Sequence, residues 1–240
     1  MSFLEREYKK FFIVSLIIIC PIILLLCFSG SVGIPSLFLH IKTLLSLGFV
    51  MLALFVIYNR KSFDSLSLFC VFGLIFGMLG DIFLELNNKL ENVGVLSGLL
   101  FFLCEHIVWC GGMLISGKSS KNKKRLILTM PLAAVGVSLF VIFLVNFVGA
   151  SLGSMTVPVF VYGIILTWAF TIPFTLREKK DLRLLLLGIA GVLFFISDAL
   201  LVKGLFGGGS SPLISVINLL TYYYAQYLIA LSTGIKKGDT

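Results

Sequence analysis

The chain has 240 residues, of which 59% are hydrophobic and 12% are charged, and its formal net charge is +8. A soluble domain carries about 25% charged residues, so this composition excludes a soluble globular domain, and with it a disordered chain and a coiled coil. The five cysteines lie in apolar stretches without a CxxC pair, which indicates neither a disulfide framework nor a thiolate metal site.

Long apolar stretches follow one another along the chain. A helix needs about 20 residues to cross the hydrocarbon core of a bilayer, where backbone groups must be satisfied within their own segment. The connections are short, so residues 1–240 are predicted to form one integral-membrane domain, an all-α polytopic bundle of eight transmembrane helices. The predicted spans are 11–28, 37–58, 66–86, 95–116, 126–148, 153–175, 182–204 and 212–234.

The basic residues are distributed unequally between the two ends of these spans. If residue 1 lies in the cytoplasm, cytoplasmic segments hold 16 of the 19 Lys and Arg residues, whereas Lys89 and Lys203 lie on the opposite side and Lys42 lies within a span. This asymmetry follows the positive-inside rule, so both termini are predicted to be cytoplasmic, in a multi-pass protein of a bacterial-type inner membrane. The positive charge is expected to face anionic lipid and indicates neither a nucleic-acid partner nor a protein partner.

A few ionisable side chains lie inside the predicted spans, where each costs several kcal/mol unless it faces a partner or a polar cavity. In the predicted topology they all fall in the middle and outer zones of the membrane, with none near the cytoplasmic helix ends. This common level predicts a single site. Its charged members are Lys42, Asp81, Glu85, Glu105, His106 and Asp198.

Helical spacing places two of the acids on one helix face. Asp81 and Glu85 are four residues apart, on the same face as Gly73 and Gly77, where a neighbouring helix can approach closely. Because Glu85 lies within one turn of the helix end, contact with lipid headgroups is an open alternative for it. For His106, a packing role and a catalytic role are equally open.

The last predicted span carries a polar stripe. Asn218, Tyr222 and Gln226 recur at intervals of four residues, and Tyr223 flanks them. Aromatic belts lie at membrane interfaces, whereas these tyrosines lie well inside the span. They are therefore expected to support the site.

Two short segments indicate an internal repeat. Gly80–Leu84 and Ser197–Leu201 each place a small residue before Asp and a Leu three residues after it. They lie four spans apart on helices that run in the same direction, as in a repeat of four plus four helices. The pattern predicts that Asp81 and Asp198 approach each other across a pseudo-two-fold axis.

These residues together resemble the YhhN family of eight-helix membrane proteins, which includes the lysoplasmalogenases. The resemblance extends over nearly the whole chain in order and spacing. It is carried by Lys42, Gly80–Asp81, His106, the segment LFFISD that ends at Asp198, and the segment YYYAQ of residues 222–226.

The resemblance implies hydrolysis of the vinyl ether bond of a lysoplasmalogen, a lysophospholipid with an alkenyl chain, to a fatty aldehyde and a glycerophospho-alcohol. A vinyl ether is hydrolysed by protonation at carbon, which requires a carboxylic acid, and a carboxylate to face the resulting oxocarbenium ion and guide water. Asp81 and Asp198 are expected to form this catalytic pair and share one proton. The expected supporting residues are Lys42, Glu85, Glu105, His106, Asn218, Tyr222, Tyr223 and Gln226, and no cofactor or metal is expected.

Two other functions remain open from the sequence. A proton-coupled transporter also uses intramembrane Asp, Lys and His residues. A metal-dependent membrane lipid hydrolase would need several convergent ligands, and with two histidines in the chain it would depend on carboxylates.

Overall fold

The computed structural model describes residues 35–60, 63–86, 92–116, 129–177, 181–209 and 211–235, together with residues 125 and 127. The first predicted span, 11–28, and both chain termini lie outside the described residues.

The described part of the chain contains seven long α-helices, each long and apolar enough to cross a membrane, and no strand. The predicted all-α membrane class is therefore confirmed, and seven of the eight predicted spans are present as helices. The helices are α1 (Pro35–Arg60), α2 (Ser65–Glu85), α3 (Asn92–Ser116), α4 (Thr129–Phe147), α5 (Thr156–Leu176), α6 (Leu182–Phe206) and α7 (Pro212–Ser232).

Three of these helices begin at a residue whose side chain caps the first turn. Asp64 accepts a hydrogen bond from the Ser67 amide before α2, and Asp181 accepts one from the Leu184 amide before α6. Ser211 caps α7 and is followed by Pro212, which suits the first helical position because it has no amide hydrogen to satisfy. The caps fix the starting level of the helices that carry the polar side chains described below.

The sixth predicted span, 153–175, starts later than expected. Residues Gly149–Met155 form a 3₁₀ segment, and Gly153 within it has φ of +51°. Such a backbone conformation interrupts a regular helix and favours glycine, so α5 begins at Thr156.

Six of the helices form a closed ring. In order around the ring, α1 contacts α2, α2 contacts α3, α3 contacts α5, α5 contacts α6, α6 contacts α7, and α7 contacts α1. Helix α4 packs outside the ring, mainly against α5. The side chains that point into the ring are therefore shielded by protein on all sides.

The ring repeats its own order. The contacts among α1, α2 and α3 recur among α5, α6 and α7, and the two halves join through the α3–α5 and α7–α1 contacts. Asp81 and Asp198 lie at the same level, each 16 residues after the first residue of its helix, or about 24 Å along the helix axis. This arrangement agrees with the predicted repeat.

Large apolar side chains cover the outside of the bundle. Leu44, Met51, Phe55 and Phe72 are each more than half exposed, far more apolar surface than a soluble protein presents. This surface is the one that a multi-pass membrane protein presents to lipid.

The end of the bundle at which α2 and α6 begin is closed by an ionic network. The buried side chain of Arg183 contacts both carboxylate oxygens of Asp64, and Arg60 contacts the Oδ2 atom at 2.8 Å. Arg60 also donates to the Thr233 carbonyl, and Ser67 does the same, so the network joins α1, α2, α6 and the end of α7.

The sequence predicts that no ionisable side chain inside the spans lies near this end of the bundle, which is the cytoplasmic end in the predicted topology. The network shows that this expectation is wrong. The 16 basic residues that the sequence assigns to cytoplasmic segments include Arg60 and Arg183. Instead both lie within helices with side chains that are 7–8% exposed. The physical reason is that Asp64, at the start of α2, supplies a counter-charge that allows the two guanidinium groups to enter the bundle.

Candidate active site

The polar side chains inside the ring come from all six of its helices. Helix α1 contributes Lys42 and Ser46, α2 contributes Asp81, and α5 contributes Tyr162, all of them buried. The remaining buried contributors are Glu105 and His106 from α3, Asp198 from α6, and Tyr222 and Gln226 from α7.

Lys42 is paired with two carboxylates of α2. Its ammonium group lies 3.2 Å from Oδ1 of Asp81 and donates a hydrogen bond of 2.9 Å to Oε1 of Glu85. The two acids are one helical turn apart, so a single lysine reaches both. The sequence leaves open whether Glu85 belongs to the site or contacts lipid headgroups. In the structure it contacts Lys42, a residue of the site.

Asp81 also accepts hydrogen bonds at its other oxygen. Ser46 donates to Oδ2 at 2.5 Å and Tyr222 donates to the same atom at 3.1 Å. Gln226 in turn donates to the Tyr222 hydroxyl at 3.0 Å. Two residues of the predicted stripe on α7, Tyr222 and Gln226, therefore form a hydrogen-bonded chain that ends at the Asp81 carboxylate.

Asp198 has a different set of neighbours. The Tyr162 hydroxyl donates to its Oδ2 atom at 2.5 Å, and among the described residues no other hydrogen bond and no cation contacts the carboxyl. The preceding residue, Ser197, is joined to Asn218, whose amide donates to the Ser197 carbonyl at 2.6 Å. Asn218 thus holds α6 against α7 beside the site and does not contact the carboxyl itself.

Asp81 and Asp198 are close enough to interact electrostatically. Within the described part of the chain no hydrogen bond joins their carboxyl groups; each has its own donors. The structure therefore shows no direct hydrogen bond through which the two acids would share one proton.

Glu105 is a third carboxyl in the same space, and it interacts electrostatically with both Asp81 and Asp198. It is fully buried, and neither of its oxygens accepts a hydrogen bond of ordinary geometry from the described residues, although Gln226 lies beside it. Both side chains pack over Gly77, where a Cβ atom would lie 2.7 Å from Oε2 of Glu105. Because Gly77 has no side chain, α2 leaves space here for the side chains of Glu105 and Gln226.

His106 lies among aromatic rings. Its Nδ1 atom is 2.6 Å from the Phe102 carbonyl, so this nitrogen is assigned the proton, and the Nε2 atom has no hydrogen-bond partner among the described residues. The rings of Phe194, Tyr162 and Trp109 pack edge-on against the imidazole at 5.0 to 6.3 Å. Its contacts are those of a packing residue with one unused nitrogen.

Tyr223 takes part in aromatic packing beside the site. Its ring packs against Phe49 on α1 and against Tyr222. It therefore supports the position of Tyr222 and the α7–α1 contact.

Sequence reasoning missed Ser46 and Tyr162. Ser46 lies four residues after Lys42, on the same helix face, and this spacing could have identified it. Each donor also precedes its aspartate by a similar interval, 35 residues for Ser46 and 36 for Tyr162. The internal repeat was therefore the signal that pointed to Tyr162.

A cavity of about 270 Å³ opens beside the site, between the ends of α2 and α6 and the starts of α1 and α7. It is lined by Lys42, Glu85 and Asn218 together with apolar side chains such as Phe38, Leu84 and Leu201. Leu84 and Leu201 each lie three residues beyond one of the aspartates. The cavity thus extends to about one helical turn, or 5 Å along the helix axis, beyond the level of the acid pair.

No group of three or more His, Cys, Asp and Glu side chains with the arrangement of a metal site occurs in the described ranges.

The lipid-facing helices, the closed ring and its enclosed acids define a polytopic helical membrane protein with a polar interior site. The YhhN family model matches residues 37–233, and the chain belongs to the YhhN family. This confirms the resemblance found in the sequence. Neither a curated protein nor a solved structure matches the chain significantly.

Proposed function

We propose that this protein hydrolyses the vinyl ether bond of lysoplasmalogens, releasing a fatty aldehyde and a glycerophospho-alcohol. The observation that carries the proposal is the enclosure of two aspartates, at one level and in unlike surroundings, by a ring of six membrane helices. Lysoplasmalogenases belong to the same family, which supports the choice of substrate.

The chemistry of the substrate suits this arrangement. Protonation of the vinyl ether at its β-carbon gives an oxocarbenium ion, which water converts to a hemiacetal that collapses to aldehyde and alcohol. One carboxyl is needed as the acid and a second as a carboxylate that faces the cation and accepts a proton from water. Asp81 and Asp198 supply these two groups inside a shielded ring.

The cavity beside Lys42 and Glu85 suits the polar end of a single-chain lipid. The ammonium group of Lys42 is a phosphate-binding group, and the apolar side chains of the cavity suit the adjacent chain. The opposite end of the ring is closed by Asp64, Arg60 and Arg183, which supports a pocket open at one end rather than a transport path through the bundle. In the membrane we place both termini on the cytoplasmic side, in a bacterial-type inner membrane.

The test supplies purified protein in detergent micelles with alkenyl- and acyl-lysophospholipids of matched headgroup and measures aldehyde and fatty acid. Aldehyde from the alkenyl lipid alone is expected, and Asp81→Asn and Asp198→Asn should each reduce its release at least 100-fold. Asp181→Asn is the matched control, because Asp181 caps α6 outside the ring and asparagine is an equally good cap.

Near-normal aldehyde release by either ring variant would overturn the assignment of the pair. Release of fatty acid instead of aldehyde would overturn the reaction. Loss of activity in chelator with recovery on added zinc would favour a metal-dependent hydrolase. Uptake of a labelled solute by proteoliposomes without any aldehyde would favour a transporter.

A further inference from the structure

We infer that the two aspartates have distinct and fixed roles: Asp198 donates the proton, Asp81 acts as the carboxylate, and Tyr162 is a positioning residue for Asp198. This inference rests on the proposed function and deepens it by assigning each acid. It is drawn from the unequal hydrogen bonds and charges around the two carboxyl groups.

Asp81 is surrounded by groups that stabilise a negative charge. Lys42 contacts one oxygen, and Ser46 and Tyr222 donate to the other. An ionised carboxylate is an acceptor only, so three donors, one of them positively charged, stabilise the ionised form of Asp81. Glu85 also contacts Lys42, but it lies a turn nearer the helix end and is partly exposed.

Within the described part of the chain, Asp198 has one donor and no cation in contact with its carboxyl. The Tyr162 hydroxyl from α5 donates to it, and the carboxyl groups of Glu105 on α3 and Asp81 on α2 are near enough to interact with it electrostatically. His106, nearby on α3, is assigned as neutral because its Nδ1 proton is directed at a carbonyl and its Nε2 atom has no hydrogen-bond partner among the described residues. A buried carboxyl with one neutral donor, acidic neighbours and no cation is favoured as the uncharged acid.

The Tyr162 hydrogen bond fixes which oxygen carries the proton. Tyr162 donates to Oδ2, so the acid proton resides on Oδ1, which accepts no hydrogen bond within the described part of the chain. Tyr162 thereby fixes the rotation of the carboxyl and directs its free O–H away from α5. It acts through Asp198 and is not assigned a contact with substrate.

The steps balance with these roles. Asp198 transfers its proton to the β-carbon, where the alkene electron pair forms the new C–H bond, and the oxocarbenium ion results. Water adds to the cationic carbon and gives a proton to Asp81. In the collapse of the hemiacetal, Asp198 takes the hydroxyl proton while Asp81 returns its proton to the departing ether oxygen, so both residues regain their starting states.

Infrared spectroscopy of the purified protein tests the protonation states without requiring activity. A neutral carboxyl gives a C=O stretching band that a carboxylate lacks. Asp198→Asn should remove one such band near neutral pH, and Asp81→Asn should remove none. Glu105→Gln identifies the band of the third acid. Loss of a band in Asp81→Asn with none lost in Asp198→Asn would overturn the assignment.

Tyr162→Phe is the matched test of the positioning role. A hydrogen bond to the C=O oxygen lowers its stretching frequency, so Tyr162→Phe should raise the frequency of the Asp198 band, while Ser46→Ala should leave it in place. A role in packing alone would leave the band unmoved in Tyr162→Phe and would overturn the positioning assignment.

The pH profile of kcat/KM for aldehyde release provides a crossed activity test. Tyr162→Phe removes a donor from the acid and should move the alkaline limb, with kcat falling about tenfold. Ser46→Ala removes a donor from the carboxylate and should move the acid limb. If Tyr162→Phe moved the acid limb and Ser46→Ala the alkaline limb, the assignment of Asp198 as acid and Asp81 as carboxylate would be overturned. Wild-type protein that releases no aldehyde would overturn the proposed function, while the infrared bands would still decide the protonation states.

Discussion

Arg183 donates two hydrogen bonds of 3.0 Å to Asp64, one to each carboxylate oxygen, although the residues are 119 positions apart in sequence. This bidentate contact joins the start of α6 to the start of α2. Asp64→Asn keeps the helix cap but leaves the buried guanidinium groups of Arg183 and Arg60 without a counter-charge. We expect the free energy of unfolding to fall by about 1–2 kcal/mol, measured by thermal or denaturant unfolding in detergent micelles.

Asp181→Asn is the control for this prediction. Asp181 caps α6 as Asp64 caps α2, and its carboxylate contacts no arginine in the described ranges. The substitution should therefore leave stability within about 0.5 kcal/mol of wild type. Equal losses in the two variants would show that the cap, and not the ionic contact, matters at Asp64.

The same contact predicts how stability depends on pH. Burial opposes ionisation of Asp64, but the hydrogen bonds from Arg183, the Ser67 amide and Arg60, with the charge of Arg183, lower the pKa of its carboxyl from 3.8 to about 2. Because the folded-state pKa is depressed, the contribution is fully present above pH 3.8 and is lost as the pH falls through 2.

The expected size of this pH effect is about 1 kcal/mol, since the Asp64 side chain is 34% exposed and solvent screens its charge. The measurement is the stability difference between wild type and Asp64→Asn across this range. The difference should shrink as the solution is acidified, and a constant difference would contradict the contribution of the ion pair.

The location of the site was predictable from the sequence, whereas its internal contacts were not. Charged groups such as Lys42 and Asp198 stand out in apolar spans because each is costly there unless it has a partner. Their common level followed from counting spans. Which groups touch depends on the order of helices around the ring, and this order pairs segments that are far apart in the chain.

Tyr162 and Arg183 illustrate two physical reasons for the misses. Tyrosine is compatible with an apolar helix, so apart from its interval within the internal repeat Tyr162 has no distinguishing feature until its hydroxyl is seen beside Asp198. Counting basic residues at span ends treats every arginine alike, so it does not distinguish Arg183, buried against Asp64, from a solvated charge. In both cases the sequence does not show which carboxylate the side chain contacts.

The packing of α5 against α6 depends on Gly191. A Cβ atom at this position would lie 2.6 Å from Cα and 2.9 Å from the backbone nitrogen of Phe170. Backbone atoms move only if the helix moves, so Gly191→Ala should separate the two helices and lower the free energy of unfolding by about 1–3 kcal/mol. Thermal unfolding followed by circular dichroism in micelles provides the measurement.

Gly111→Ala tests whether this loss is specific. A Cβ atom at Gly111 meets nothing within 4 Å, and alanine is favoured over glycine in helices by up to about 1 kcal/mol. The control should be unchanged or slightly more stable. A Gly191→Ala protein as stable as the control would contradict the close approach of α5 and α6.

Gly77 tests the arrangement of side chains inside the ring rather than the packing of helices. A Cβ atom there would lie 2.5 Å from Nε2 of Gln226 and 2.7 Å from Oε2 of Glu105. Both atoms are ends of flexible side chains that are able to shift, so Gly77→Ala should fold with stability within about 1 kcal/mol of wild type. The displaced Gln226 would lose its hydrogen bond to Tyr222, a donor to Asp81, and aldehyde release should fall about tenfold.

Gly73→Ala is the matched control, because Gly73 lies one turn earlier on the same face and a Cβ atom there would be 3.6 Å from the nearest atom, the Glu105 carbonyl oxygen. That distance is ordinary van der Waals contact, so both turnover and stability should remain near wild type. Because the two substitutions add the same methyl group to the same helix, a difference in turnover without a difference in stability identifies the displacement of the Gln226 and Glu105 side chains as its cause. Equal turnover in the two variants would show that the chain from Gln226 through Tyr222 to Asp81 does not contribute to the reaction.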